Sequence, residues 1–211
     1  MSDRVVTLEL RWFFEGAIPD DVRRWFDAVL PGPTVEPARR SDFYLIVPGR
    51  DDINLKLRER RLELKWRSRS APFVSDRVTA RGTTELWEKW SWSYAREADV
   101  EAGFADGVRG PRVDVGKVRW QRNYEVNRSG ELHPMASQDP ADRSLAIEVT
   151  ELAVRGQQAW TLAFDAIGPA PDAILAHAVE RLLEAVPKAP RLANNRSFGY
   201  PRWLMRETEN A

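Results

Sequence analysis

Apolar and polar residues alternate along much of this chain with the period of two that a β-strand imposes. Over residues 53–59, Leu55 and Leu57 alternate with Lys56 and Arg58. Over 61–67, Leu62, Leu64 and Trp66 alternate with Glu63, Lys65 and Arg67. Two such runs in succession predict a hairpin with one apolar and one charged face. Residues 5–14 predict a first strand, with Leu8, Leu10 and Trp12 on one face and Glu9 and Arg11 on the other. Further strands are expected over 41–47, 85–94, 117–126, 145–154 and 158–167. The last two meet at Arg155-Gly156-Gln157, a hairpin turn. The stretches 68–84, 96–116 and 127–143, richer in Gly, Pro, Ser, Asp and Arg, read as loops.

Twice the apolar period lengthens to that of a helix. One helix starts at about Pro19, with Asp20 and Asp21 at its positive end, the stripe Val22, Trp25, Phe26 and Val29, and a stop at Pro31-Gly32-Pro33. Another covers 172–186, with Ile174, Leu175, Ala178, Val179, Leu182, Leu183 and Val186 on one face and His177 at its flank. The pattern predicts an α+β fold: a mainly antiparallel β-barrel or strongly curved sheet with flanking helices. Closure would remove exposed strand edges and give the inward positions a shared cavity. With no repeat and no linker-like run, residues 1–211 read as a single domain.

Charge narrows the partners. Lys and Arg total 32 and so do Asp and Glu. That balance argues against a nucleic-acid coat or a membrane-surface protein, both of which need net positive charge. The chain has no cysteine and only two histidines, His133 and His177, so disulfides, cysteine zinc sites and histidine-centred catalysis drop out. The N-terminal residues run into a strand pattern without an apolar leader, and no long apolar stretch follows, which predicts a cytoplasmic protein. The run 103–110 lacks the strand-to-helix setting and Lys-Ser/Thr ending of a phosphate loop.

The candidate chemistry is cationic. Lys56 with Arg58, Lys65 with Arg67, and Lys117 with Arg119 each share a strand face. This alternation fits the wet face of an open sheet. It equally fits the lining of a closed pocket, where converging cations repel unless an anion or acidic side chains neutralise them. Period alone leaves both open. Trp90, Trp92 and Tyr94 also share a face and suit either wall packing or stacking on a ligand ring.

The run Arg40-Ser-Asp-Phe-Tyr-Leu45, then Asn54-Leu-Lys-Leu-Arg58 and Leu62-Glu-Leu-Lys-Trp-Arg67, resembles the triphosphate-tunnel (CYTH) family of class IV adenylyl cyclases, thiamine triphosphatases and inorganic triphosphatases. Lys117-Val-Arg119, Leu145 to Glu151, Trp160 to Asp165 and Ser197 to Leu204 follow in a compatible order. The resemblance implies an eight-stranded antiparallel tunnel lined by alternating Arg and Lys. It implies a small phosphorylated ligand or polyphosphate as partner, with Arg11, Lys56, Arg58, Lys65, Arg67, Lys117 and Arg119 as anion contacts. It further implies Mg²⁺ or Mn²⁺ held by Glu9 and Asp165, and metal-assisted phosphoanhydride hydrolysis if the protein is an enzyme. The chain departs from the family's acidic pairs at Thr7 and Ala163, where one carboxylate of each pair is absent, with Glu148 or Glu151 as candidate replacements. The alternative is a non-catalytic interaction or structural protein whose tunnel is filled by internal salt bridges from Glu9, Glu63, Glu85 and Glu148.

Overall fold

The computed structural model describes residues 4–28, 30, 32, 35–58, 60–93, 111–135, 142–184 and 192–209. Among them nine strands form in chain order: β1 (Val5–Glu15), β2 (Ala38–Leu45), β3 (Ile53–Arg58), β4 (Arg61–Ser75), β5 (Ala80–Ser93), β6 (Arg112–Val126), β7 (Leu132–Met135), β8 (Ser144–Val154) and β9 (Gln157–Ile167). The helices are α1 (Asp20–Ala28), α2 (Pro171–Leu183) and α3 (Tyr200–Glu209). Neighbours run β2-β3-β4-β5-β1-β9-β8-β6, and β6 pairs back onto β2. That last ladder closes an eight-stranded antiparallel barrel, while β7 extends the sheet from β6. The α+β fold with a mainly antiparallel barrel, as expected, is the fold observed.

The wall has two differently used faces. Outward side chains of β1, β8 and β9, among them Leu8, Leu10, Trp12, Ile147, Leu162 and Phe164, pack with Val22, Trp25 and Phe26 of α1 and Ile174, Leu175 and Val179 of α2. The Trp25 indole N–H donates to the Leu182 carbonyl at 3.1 Å and ties the two helices together. The largest apolar core therefore lies between barrel and helices, not inside the barrel. Inside, Phe13, Tyr44, Val113, Val115, Leu152 and Val154 meet Phe198, Trp203 and Leu204 from the C-terminal segment, an apolar plug across part of the lumen. The rest of the lumen holds buried charge, including Glu9, Arg11, Lys56, Glu63, Lys117 and Glu148.

Local chemistry explains most element ends. Asp20 and Asp21 occupy the first turn of α1, and Pro171 stands in the first turn of α2, where its missing N–H costs nothing. Arg155 and Gly156 both have positive φ, 48° and 79°, as a two-residue hairpin turn matched to strand twist requires.

Several expectations change. The stretches 68–75, 80–84 and 112–116 continue β4, β5 and β6, and Leu132–Met135 is β7, although all were expected as loops. Their polar residues sit in ladders because the neighbouring strands supply hydrogen-bond partners. A bulge between Arg67 and Arg69 broke the sequence rhythm there. It turns Arg69 outward to pair with Asp172 of α2, while Arg67 stays inside. The C-terminal run becomes a helix, α3, begun by Tyr200 and Pro201. Trp92 lies partly exposed, 37%, and Trp90 half-buried, away from the wall that the helices cover. Tyr94, Val29, Val186 and the run 103–110 lie outside the described residues.

Gly82 tests how tightly the C-terminal segment seats. A Cβ there would stand 2.8 Å from both the Leu10 Cδ1 and the Ser197 Oγ and 3.1 Å from Trp12. The Ser197 hydroxyl in turn accepts the Thr83 N–H at 2.9 Å. Gly82→Ala is expected to cost about 1–3 kcal/mol through overpacking. Urea unfolding should show a lower midpoint with an unchanged slope.

Candidate functional site

Inward positions of all eight barrel strands and the start of α3 line a cavity of about 180 Å³. Of the seven cations expected as anion contacts, Arg11, Lys56, Arg58, Lys65, Lys117 and Arg119 line it. Arg67 points inward beside them but is held by Glu85 and Asp51 at 2.7 and 2.6 Å. Glu9 and Asp165 line the same cavity, and so does Glu148; Glu151 is on the other face of β8.

Sequence reasoning missed Arg40, Lys89, Asn54, Gln121, Tyr44 and Tyr200 as lining residues. Arg40, Asp42 and Tyr44 are two apart on β2, and Glu85, Trp87 and Lys89 are two apart on β5. Their period was therefore a usable signal. Tyr200 had no such period, because it reaches the lumen from the first turn of α3 and not from a strand.

The charges are organised around three carboxylates. Asp42, fully buried, receives Lys117 at 2.9 Å and Lys56 and Arg40 each at 3.4 Å. Glu63 takes Lys56 at 3.0 Å and Arg58 at 2.9 Å. Glu148 takes Arg11 at 2.8 Å and Arg119 at 3.5 Å. Lys117 also donates to the Tyr44 hydroxyl at 2.6 Å and lies 3.9 Å over the Tyr200 ring.

Burial and pairing pull these groups in opposite directions. Burial alone would raise the Asp42 carboxyl, yet Lys117, Lys56 and Arg40 hold it below the usual carboxylate range. Glu63 is held at about 2 in the same way, by Lys56 and Arg58 against its burial. Lys117 goes the other way: desolvation drives its ammonium well below the ordinary lysine value, and Asp42 only partly offsets this. Asp165 is the exception among the acids that line the cavity. Burial first, then the charge of Glu9, push it up to about 7.

The balance is uneven. Eight cations line the cavity: Arg11, Arg40, Lys56, Arg58, Lys65, Lys89, Lys117 and Arg119. Against them stand Glu9, Glu63, Glu148 and Asp165 in the lining and Asp42 behind it, a formal excess of three positive charges when every group is counted in its ordinary ionised form. Arg67, outside that lining, is shared between Glu85 and the more exposed Asp51. The buried Nε atoms of Arg11, Arg40, Arg58 and Arg119 make no hydrogen bond among the described residues. Lys89 has no carboxylate within ion-pair distance there. Its ammonium is held down by burial and by Lys65.

A resident divalent metal does not fit these residues. Glu9 and Asp165 are direct partners across β1 and β9, but the Lys65 ammonium already sits 2.5 Å from Glu9. The described residues contain no group of three His, Asp or Glu side chains placed to share an ion. Glu148 is taken by two arginines. What the arrangement can do is bind an anion through directed, charge-assisted hydrogen bonds.

Two expectations follow. Asp42→Asn leaves three cations around a neutral amide and should cost about 3–5 kcal/mol in chemical unfolding, the usual loss when one partner of a buried ion cluster is removed. For Asp165 the folded-state value lies above the ordinary carboxylate range, so the fold holds a proton that the unfolded chain releases. Its contribution is fully present in acid and lost as pH rises through about 7. Asp165→Asn should therefore gain in melting temperature relative to the parent between pH 5 and pH 8. Parallel melting curves across that range would contradict the assignment.

No family model matches the chain, and no curated protein does. Among solved structures, it is similar to a conserved hypothetical protein from Pyrococcus furiosus at 12% identity and TM-score 0.48, covering 92% of this chain and 98% of that one. It is also similar to the triphosphatase of the Mimivirus capping enzyme at 9% identity and TM-score 0.48, covering 88% and 90%.

Proposed function

We propose that the protein binds a small phosphorylated anion, with inorganic polyphosphate as the defining chemistry, inside the barrel. The observation that carries this reading is the formal excess of three positive charges in the closed lumen. Like charges brought together in a low-dielectric space repel strongly. A multiply charged anion relieves that repulsion while accepting hydrogen bonds from the unsatisfied arginine Nε atoms. The lumen suits a compact ligand: about 180 Å³ lies below the roughly 300–1,000 Å³ of pockets that take drug-sized molecules.

The dense pairing of Asp42, Glu63 and Glu148 favours a second reading, a lumen closed by its own salt bridges with no ligand. Lys89 separates the two. A self-neutralised lumen has no use for an ammonium without a carboxylate, whereas an anion site does.

Tripolyphosphate should raise the melting temperature, and added salt should reduce that rise, because attraction between partly exposed charges is screened. Lys89→Ala and Arg119→Ala should each weaken binding by roughly tenfold, equivalent to about 1.4 kcal/mol. Isothermal titration at low ionic strength provides the measurement. Absence of any response to pyrophosphate or tripolyphosphate would favour the self-neutralised lumen, and variants that bind like the parent would place the anion elsewhere.

A further inference from the structure

Three acidic side chains fall in one row across adjacent strands. Glu9 of β1 lies directly opposite Glu85 of β5 on one side and Asp165 of β9 on the other. Directly opposed residues project to the same face of the sheet, and like charges so placed repel. A buried row of this kind needs a cation. Phosphoryl-binding sites ordinarily meet that need with a divalent ion, which also neutralises the incoming phosphate.

Here the cations come from β4. Lys65 Nζ stands 2.5 Å from Glu9 Oε1, and Arg67 donates to Glu85 Oε1 at 2.7 Å. The Glu9 oxygen that receives Lys65 also accepts the Thr7 hydroxyl at 3.2 Å. Glu9 and Asp165 together keep the Lys65 ammonium charged in spite of its burial. Asp165 is the least satisfied member of the row: its nearest ion-pair partner, Arg11, is 3.8 Å away, and its buried Oδ1 makes no hydrogen bond among the described residues.

We propose that the Lys65 ammonium is the resident cation of this acid row, seated on Glu9 where a divalent ion would have to bind, so that the cavity takes its anion free of metal. The clause about the anion rests on the polyphosphate reading; the identity of the cation does not. Selection for the free anion over its magnesium complex follows from the charge balance. The lumen already carries a formal excess of three positive charges, and a ligand that brings two more relieves less of the repulsion. The ammonium is tethered and monovalent, so it neutralises Glu9 without coordinating water.

The test uses Mn²⁺ alone, with no anion present, and follows the electron paramagnetic resonance signal of free Mn²⁺. The parent protein should leave that signal unchanged at concentrations where Lys65→Met takes up one ion per chain, at least tenfold more tightly. Adding Glu9→Gln to Lys65→Met should abolish the uptake. Circular dichroism checks that each variant is folded, and Lys65→Gln, which keeps a polar tip of similar reach, serves if the Met variant is not. Independently, Mn²⁺ should not raise the parent's melting temperature. A rise, or uptake by the parent, that Glu9→Gln removes would overturn the proposal. So would folded Lys65 variants that leave Mn²⁺ free. Failure of tripolyphosphate to bind would strike the polyphosphate reading and leave this result standing.

Discussion

Everything in this molecule is arranged around buried charge in a closed space. Eight strands shut a lumen whose inward side chains include Arg11, Lys56, Lys117 and Arg119 together with Asp42, Glu63 and Glu148. An isolated charge in such a place costs several kcal/mol after relaxation, so each must be paired or served by a ligand. Asp42, at the most buried position, gathers three cations, whereas Lys65, Arg119 and Asp165, nearer solvent, are paired more loosely or singly.

That interior cannot hold the barrel together, and the fold compensates on the outside. Leu8, Leu10, Trp12, Phe164 and their neighbours bury their surface under α1 and α2 rather than in the lumen. Apolar burial at roughly 25 cal/mol per Å² is the dominant favourable term, and here it is supplied by the helix-covered wall. The division of labour matters for function. Because stability comes from the outer layer, the inner layer is free to carry a charge imbalance that a conventional core would not tolerate.

The C-terminal segment joins the two layers. Ser197 bridges to Trp12 and accepts from Thr83, Phe198 and Trp203 stack on Phe13, and Tyr200 lies over Lys117. One short stretch thus plugs the lumen, positions an aromatic ring against its most buried lysine, and sets the size of the cavity that remains.

The strands were legible because a period of two is imposed by backbone geometry. It correctly put Lys56 and Arg58, and Lys65 and Arg67, on common faces. The same periodicity could have exposed Arg40, Asp42 and Lys89, which lie two residues from other inward positions. It could not show the continuation of β4 past Arg67, since the bulge there reverses the alternation. Nor could it choose between a wet outer face and a lined pocket, because both place charged side chains at every second position. That choice belonged to the closing ladder between β2 and β6, a contact between residues some 75 apart in the chain. Which acid meets which base was also decided only in three dimensions. Lys65 reaches Glu9 and Arg11 reaches Glu148 across long sequence separations, and the strength of each pairing depends on distance and dielectric rather than on order along the chain. The sequence by itself determined the residue types available to each face; the tertiary structure decided that their charges share one enclosed space and do not sum to zero.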